Sequence, residues 1–505
     1  MAALLMTATT ALPSSWLVYM FALAGVLLGV VVSRQQQQLE ATPTFIPTTQ
    51  GGVPVQGVFS KNPWTGFPGN QRWTPAFPDQ ASRYDVLTVQ IKTGIWDGLI
   101  LKGQFPYARY FGINLYDYHK ATDFDSLLDQ DIEPDADNQN PFLADASVNR
   151  TQIINRNYTV YLVKQSRTPF MISFDENNEN IMIFPDQDLD MLTIMTRVYR
   201  PDDGRDLLGG VSLPTVEAFQ LDQSKAVAPK RGTLWNGMRT KLPMFVYNRD
   251  LINTWNVMYH FSLYSPPQST TFPPLQPIVF YRTSDNGLFA NGHMEYIVAP
   301  LADDYQQQVA VVMLPQPPTY LGQRQPPSIL GTENQTTTTT QTPDVRYWSF
   351  CLGDLSTTGT PACLRDDQHQ AEPSDQSVLF VIAPPNLVDS LKGKRLLRGN
   401  NYMTWESWMP MYKPLLIHRQ MLAANGYEGR IAKVPPIGRP PLPQDCNAEY
   451  MQTHRAEHFM GNAAPRGIMV SADEFQRRLQ QTVELDLAAL VQEGYRDARQ
   501  DEKEE

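Results

Sequence analysis

Positive charge is in short supply in this chain. Lysine and arginine total 41 against 52 aspartates and glutamates, a net charge of −11 with a pI near 5.2. That balance argues against a nucleic-acid partner, which needs a basic face. Cysteine is scarcer still: there are three, Cys351, Cys363 and Cys446, and no CxxC pair, so a cysteine zinc site has no support. GxSxG, P-loop and dinucleotide fingerprints are also missing. Charge of either sign is absent from Met1 to Ser33.

What is present points to strands. The 505 residues include 41 Pro, 22 Tyr, 22 Phe and 9 Trp. Proline fixes φ and removes a donor, so it belongs in turns and at strand ends. With 42% hydrophobic residues a packed core is feasible, and the length suits two or three domains. A mainly β body with long loops follows.

A repeat organises that body. Arg109-Tyr-Phe-Gly-Ile-Asn-Leu-Tyr-Asp117 returns as Arg346-Tyr-Trp-Ser-Phe-Cys-Leu-Gly-Asp354, 237 residues on. Ser126-Leu-Leu-Asp-Gln-Asp131 is answered by Ala362-Cys-Leu-Arg-Asp-Asp367 at an offset of 236. Short alternating runs between Pro/Asp/Asn turns surround both copies. They predict tandem antiparallel β-sandwiches of jelly-roll type, at 81–214 and 242–390, joined by a connector at 215–241.

The flanks differ in character. Residues 16–32 form an apolar run long enough to span a bilayer, and 1–33 is read as a signal-anchor segment. The alternative is a cleaved signal peptide, but the run is long for an h-region and no basic residue precedes it. Residues 34–80, rich in Gln, Pro, Gly and Thr, read as a flexible linker. Residues 391–470 read as irregular or helical, with a short helix predicted at Pro414–Ala424. Ser471-Ala-Asp-Glu474 is a capping box that opens an acidic amphipathic helix over 471–505.

The run from Tyr107 to Pro214 resembles an uncharacterised family of secreted or membrane-tethered β-sandwich proteins of bacteria and some algae. The resembling pieces are Ala108-Arg-Tyr-Phe111 with Leu115-Tyr-Asp117, Asp131-Ile-Glu-Pro-Asp135 with Asn140-Pro-Phe142, Asn157-Tyr-Thr-Val-Tyr161 and Thr196-Arg-Val-Tyr-Arg-Pro201. Val345-Arg-Tyr-Trp-Ser349 and Pro465-Arg-Gly467 extend the likeness. It implies a jelly-roll-like sandwich outside the cytoplasm and carries over no catalytic residue.

Five sets of residues are candidates for chemistry. His454-Arg-Ala-Glu-His458 matches H-x-x-E-H, in which two helical histidines bind zinc and the glutamate, here Glu457, is general base; a chance match competes with it. Asp129, Asp131, Glu133, Asp135 and Asp137 alternate, which in an extended chain puts five carboxylates on one face and suits calcium; a solvated acidic loop competes. Arg109 and Asp117, with Arg346 and Asp354, form either a ligand-binding pair in each copy or an arginine stacked on aromatics and paired with an acid. Cys351 and Cys363 bracket a Gly/Thr/Pro turn that brings them side by side for a disulfide, the alternative being two buried thiols. The first copy has Asn114 and Leu127 at the corresponding places. Asn149, Asn157 and Asn334 lie in glycosylation sequons.

The sequence therefore predicts a membrane-anchored, extracytoplasmic protein that binds glycan or protein. The alternative is a hydrolase, acting on carbohydrate through paired carboxylates or using zinc at His454, Glu457 and His458. Oligomeric state is not legible.

Overall fold

The structure is a computed structural model. It describes residues 45–46, 55–59, 64–68, 77–90, 97–118, 123–143, 150–168, 180–186, 189, 191–219, 275–283, 290–301, 305–320, 343–354, 358–369, 371, 376–394, 401–405, 414–437, 448–481 and 485–504. Eleven strands come from the first half: β1 (Phe45–Ile46), β2 (Val55–Phe59), β3 (Thr65–Pro68), β4 (Ser82–Gln90), β5 (Gly98–Gln104), β6 (Ala108–Asp117), β7 (Asp123–Leu128), β8 (Asn157–Lys164), β9 (Ile181–Phe184), β10 (Met191–Pro201) and β11 (Thr215–Phe219). They form a six-stranded sheet, β1-β2-β11-β5-β8-β9, and a five-stranded sheet, β3-β4-β10-β6-β7. The sheets close on one core, with Leu99, Leu101, Val160 and Leu162 on one side and Phe111, Ile113, Leu115, Leu192 and Ile194 on the other.

The second half supplies β12 (Gln276–Ile278), β13 (Tyr281–Thr283), β14 (Met294–Pro300), β15 (Gln308–Leu314), β16 (Tyr347–Asp354), β17 (Ala362–Arg365), β18 (Val378–Ala383), β19 (Tyr402–Thr404), β20 (Pro414–Met421), β21 (Pro436–Ile437) and β22 (Arg466–Ser471). Sheet orders are β12-β22-β15-β18-β19 and β17-β16-β20-β14-β13-β21. The plan of the first half recurs. The hairpin β6–β7 matches β16–β17 at a sheet edge, and each is bordered inside by a long antiparallel strand, β10 or β20. Across the core, the parallel pair β8–β9 matches the parallel pair β18–β19.

Registers fix the equivalence residue by residue. Ile113 faces Leu127 as Phe350 faces Leu364, and Asn114 faces Ser126 as Cys351 faces Cys363. Both hairpins thus obey the offset of 237, and Ser126, rather than Leu127, is the counterpart of Cys363. The cysteines are joined in a disulfide with Cα atoms 4.0 Å apart. Directly opposed antiparallel residues approach closely enough for that bond.

Strand alternation explains the layers. In β6 and β10 the residues between the core-facing ones, Tyr110, Tyr199 and their neighbours, point away from the first core. They meet Met294, Tyr347 and Met421 from the second half in a small cluster of their own. All ten residues of β6 and all eight of β16 and β20 are buried, because both faces are covered. The far face of the second sandwich is covered by helices α1 (Pro385–Lys394), α4 (Ala472–Gln481) and α5 (Leu487–Glu504), through Leu387, Leu391, Phe475, Leu479 and Val491. Two short helices, α2 (Ala448–Thr453) and α3 (Ala456–Met460), precede β22.

Several expected boundaries move. Pro414–Met421 is a central strand, not a helix: it pairs with β14 on one side and β16 on the other. A short apolar run fits either period, and here two neighbours with open edges decide it. The region 391–470 consequently contributes β19 to β22 to the second sandwich. The first five residues expected in the connector instead form β11, Thr215–Phe219, between β2 and β5. The linker at 34–80 supplies β1, β2 and β3 to the first sandwich. The terminal acidic segment is two helices rather than one, and Ser471 Oγ accepts the Glu474 amide at 3.2 Å as a cap. The predicted span at 16–32 lies outside the described residues; among these, no helix is long and apolar enough to cross a membrane.

Candidate functional site

The two sandwiches hold each other by exchange. Arg109 donates to Asp366 at 2.6 Å, and Arg346 donates to both oxygens of Asp129 at 2.6 and 2.7 Å. Each aspartate also accepts a backbone amide of its own sandwich: Phe111 N to Asp129 at 2.8 Å, Trp348 N to Asp366 at 3.1 Å. Both carboxylates are fully buried. Burial pushes the Asp366 carboxyl up to about 7, against the opposing pull of Arg109, and moves Asp129 in the same direction against Arg346.

The exchange extends beyond charge. Tyr347 donates to Asp79 at 2.8 Å, and its counterpart Tyr110 donates to Asn291 at 3.3 Å. Asp79 and Asn291 cap equivalent turns. Asp79 accepts from Ala81 N, and its carbonyl accepts from Ser82 N; Asn291 does the same for His293 and Met294. Arg419 donates to Phe77 O, while Tyr116 donates to Ala290 O. The turn before β4 therefore sits on the second sandwich, and the turn before β14 on the first. In sequence, Phe77, Asp79 and Tyr84 are answered by Phe289, Asn291 and Tyr296, 212 residues on. That faint repeat was the available signal for these turns, and the reading of the sequence missed it.

A polar groove of about 360 Å³ opens at this seam. Gln80, Arg200, Asp202, Asp203, Arg205 and Arg365 line it. Arg200 bonds Asp367, and Asp203 at 2.9 Å; Arg365 reaches Asp367 at 3.1 Å; Arg150 holds Asp202 from behind. Arg205 lies over the Tyr107 ring at 4.9 Å. Gln80 donates to Pro361 O at 2.7 Å, which ties the two sandwiches at the rim. Two residues beyond the lining Leu207, Gly209 stands at φ +70°, where a Cβ would lie 2.7 Å from Pro106 Cβ. Arg200 has φ +48°, and Leu422, at the matching end of β20, has φ +49°. Because both copies show this bend, it belongs to the architecture and not to the groove. Arg200 holds the exposed Asp203 carboxylate below its ordinary range.

The sequence candidates fare differently. Arg109 and Arg346 are paired with acids, but across the seam and not within their own motifs. Asp117 and Asp354 are buried at the far ends of their strands, about 26 Å along the chain from the arginines. The alternating acids do not share a face: Asp129 to Asp131 form a 3-10 turn, Asp129 is consumed by Arg346, and Asp137 has φ +62°. The H-x-x-E-H segment is not one helix. Arg455 is extended between α2 and α3, so His454 and His458 are not stacked on a common face. His454 instead bonds Tyr450 O at 2.7 Å, and Glu457 faces Arg455 at 3.5 Å. The one group of possible metal ligands close enough together among the described residues is Asp79 with Cys351 and Cys363, whose sulfurs are already joined. Asn157 is exposed at the start of β8. Asn149 and Asn334 lie outside the described residues.

Comparisons with known proteins add little. No family model matches, and no curated protein matches. The fold is similar to a crystal structure of an uncharacterised protein from Burkholderia cenocepacia, at 11% identity over 72% of this chain and 80% of that one, with a TM-score of 0.43. It is also similar to the VPA0106 protein from Vibrio parahaemolyticus, at 8% identity over 69% and 86%, with a TM-score of 0.30. Likenesses at this level decide nothing about function.

Proposed function

We propose that this chain is a membrane-anchored and extracytoplasmic binding module, and that the seam groove is its non-catalytic seat for a neutral glycan. The observation that carries this is the pairing inside the groove. Arg200, Arg365 and Gln80 bring donors to the lining and Asp202 and Asp203 bring acceptors, and ion pairs hold the two arginines and both aspartates in place. A sugar hydroxyl donates and accepts at once, so it suits such a mixed, rigid lining. Three arginines against the two lining aspartates leave little net charge for a phosphate. The volume lies near the lower end of about 300–1,000 Å³ typical of ligand sites. An acid held ionised by Arg200 is a poor proton donor, which favours binding over glycoside hydrolysis.

The placement rests on other features. A disulfide persists in oxidising compartments, and the charge-free run over 16–32 suits a single span. Each sandwich is read as jelly-roll-like because successive strands such as β4, β5 and β6 alternate between facing sheets. The test is calorimetric titration of the full chain in detergent against neutral and acidic oligosaccharides. Saturable binding of a neutral glycan, lost in Arg365→Ala and Asp203→Ala, supports the proposal. Binding confined to acidic glycans, or unaffected by both variants, overturns it.

A further inference from the structure

The duplication supplies an internal control: where two equivalent positions differ in chemistry, the difference is not demanded by the frame. The sharpest difference lies around the β6–β7 hairpin. In the second copy the equivalent places hold Cys351, Cys363, Tyr347, Asp79 and Ala81, with the cysteines joined. In the first they hold Asn114, Ser126, Tyr110, Asn291 and His293. We propose that Ser126, His293 and Asn114 form an acyl-transfer site that hydrolyses small, uncharged carboxylic esters, independent of the seam groove.

The hydrogen bonds set the roles. Tyr110 OH donates to Asn291 Oδ1, so it can accept from His293 Nδ1 at 2.9 Å. That leaves His293 Nε2 as an acceptor, 3.5 Å from Ser126 Oγ. Nucleophile and base often stand this far apart before substrate tightens the site. Burial lowers the His293 pKa, Arg197 and Arg346 act the same way and Asp131 opposes them, so the imidazole is neutral near pH 7. Asn114 stands directly opposite Ser126 across the strands. Arg197 engages its Oδ1, while its fully buried Nδ2 has no hydrogen-bond partner among the described residues. A spare amide donor beside a serine is what an oxyanion requires. Gly292 keeps the approach open: a Cβ there would stand 3.9 Å from Ser126 Oγ and from Asp123 Oδ2. Asp123, whose carboxylate stands at the same distance from that point, repels anionic substrates.

The step balances with water as co-reactant. Ser126 Oγ attacks the acyl carbon as its proton passes to His293 Nε2, and Asn114 Nδ2–H bonds the resulting oxyanion. The alkoxide leaves with the proton from His293, giving an alcohol and an acyl-serine. Water then attacks the acyl-serine, with His293 taking and returning the proton, and releases the acid. Tyr110 is a positioning residue that holds the imidazole tautomer.

The experiment treats the full chain with a fluorophosphonate probe and maps the adduct by mass spectrometry, beside turnover of p-nitrophenyl acetate. The expected result is an adduct on Ser126 in the unaltered protein. Ser126→Ala should lose both adduct and turnover, and Asn114→Ala should lose about 10²–10³-fold in rate with the adduct kept. Tyr110→Phe should shift the pH profile of the rate, a change that a packing role alone would not produce. An adduct elsewhere, no adduct at all, or turnover retained in Ser126→Ala overturns the assignment. Mapping on the unaltered chain needs no variant to fold, and glycan titration of the same sample separates failure here from failure at the groove.

Discussion

Arg346 crosses the seam to Asp129, 217 residues earlier in the chain, and bonds both of its carboxylate oxygens. Its counterpart Arg109 crosses in the other direction to Asp366. Residue i of one copy meets j of the other, and the equivalent j meets the equivalent i. That is the contact pattern of a two-fold symmetric dimer, here within a single chain. The Tyr110–Asn291 and Tyr347–Asp79 bonds repeat the pattern, with a side-chain amide as acceptor in one and an aspartate in the other.

The disulfide occurs in one copy alone, so its effect should be local. Reduction should remove about 3 kcal/mol, the loop-entropy value for a closure of this size. Hydrogen exchange should speed up in β16 and β17 and stay unchanged in β6 and β7. Equal acceleration of both hairpins would count against this.

Much of the frame was legible in the sequence. The 237-residue repeat located both hairpins, and the turn between Cys351 and Cys363 located the bond. The pairing of the arginines was not legible, because Asp129 and Asp366 sit in the second motif of each copy and act on the opposite copy. Sequence spacing encodes neighbours along the strand, while the seam is set by how two finished sandwiches dock. Pro414–Met421 misled for a different reason: burial on both faces erases the alternation that separates strand from helix. The groove was hidden because its lining comes from the end of β10, the turn before β4 and the end of β17.

His418 sits fully buried in the second core, stacked on Phe350 at 4.4 Å, and burial pushes its pKa down to about 3. Between an ordinary value near 6.5 and about 3, the unfolded chain takes a proton that the folded one refuses. Stability linked to this residue is therefore complete above pH 6.5 and falls as the pH drops towards 3. His418→Phe should flatten that acid limb in urea titrations at successive pH values. Asp366, raised to about 7, works in the opposite sense: its share of stability is present below the unfolded value near 3.8 and is lost as the pH rises through about 7. A variant with the original acid limb would contradict the assignment to His418.

Phe475 anchors α4 on the outer face of the second sandwich and is fully buried. Phe475→Ala should cost about 3–5 kcal/mol in urea unfolding by cavity formation. Glycan affinity at the seam should stay unchanged, since the helix covers the opposite sheet. A large loss of affinity with stability intact would reverse that separation.

The most direct measurement is a pair of double-mutant cycles, one on Arg346 and Asp129, the other on Arg109 and Asp366, read by the free energy of unfolding. If reciprocal pairing joins the two copies, each single alanine variant should cost about 3–5 kcal/mol, the loss expected when one buried charge is left alone. Each cycle should then show a coupling of at least about 1.5 kcal/mol. Additivity within about 0.5 kcal/mol in both cycles would mean that the arginines and aspartates do not act across the seam, and would contradict the account.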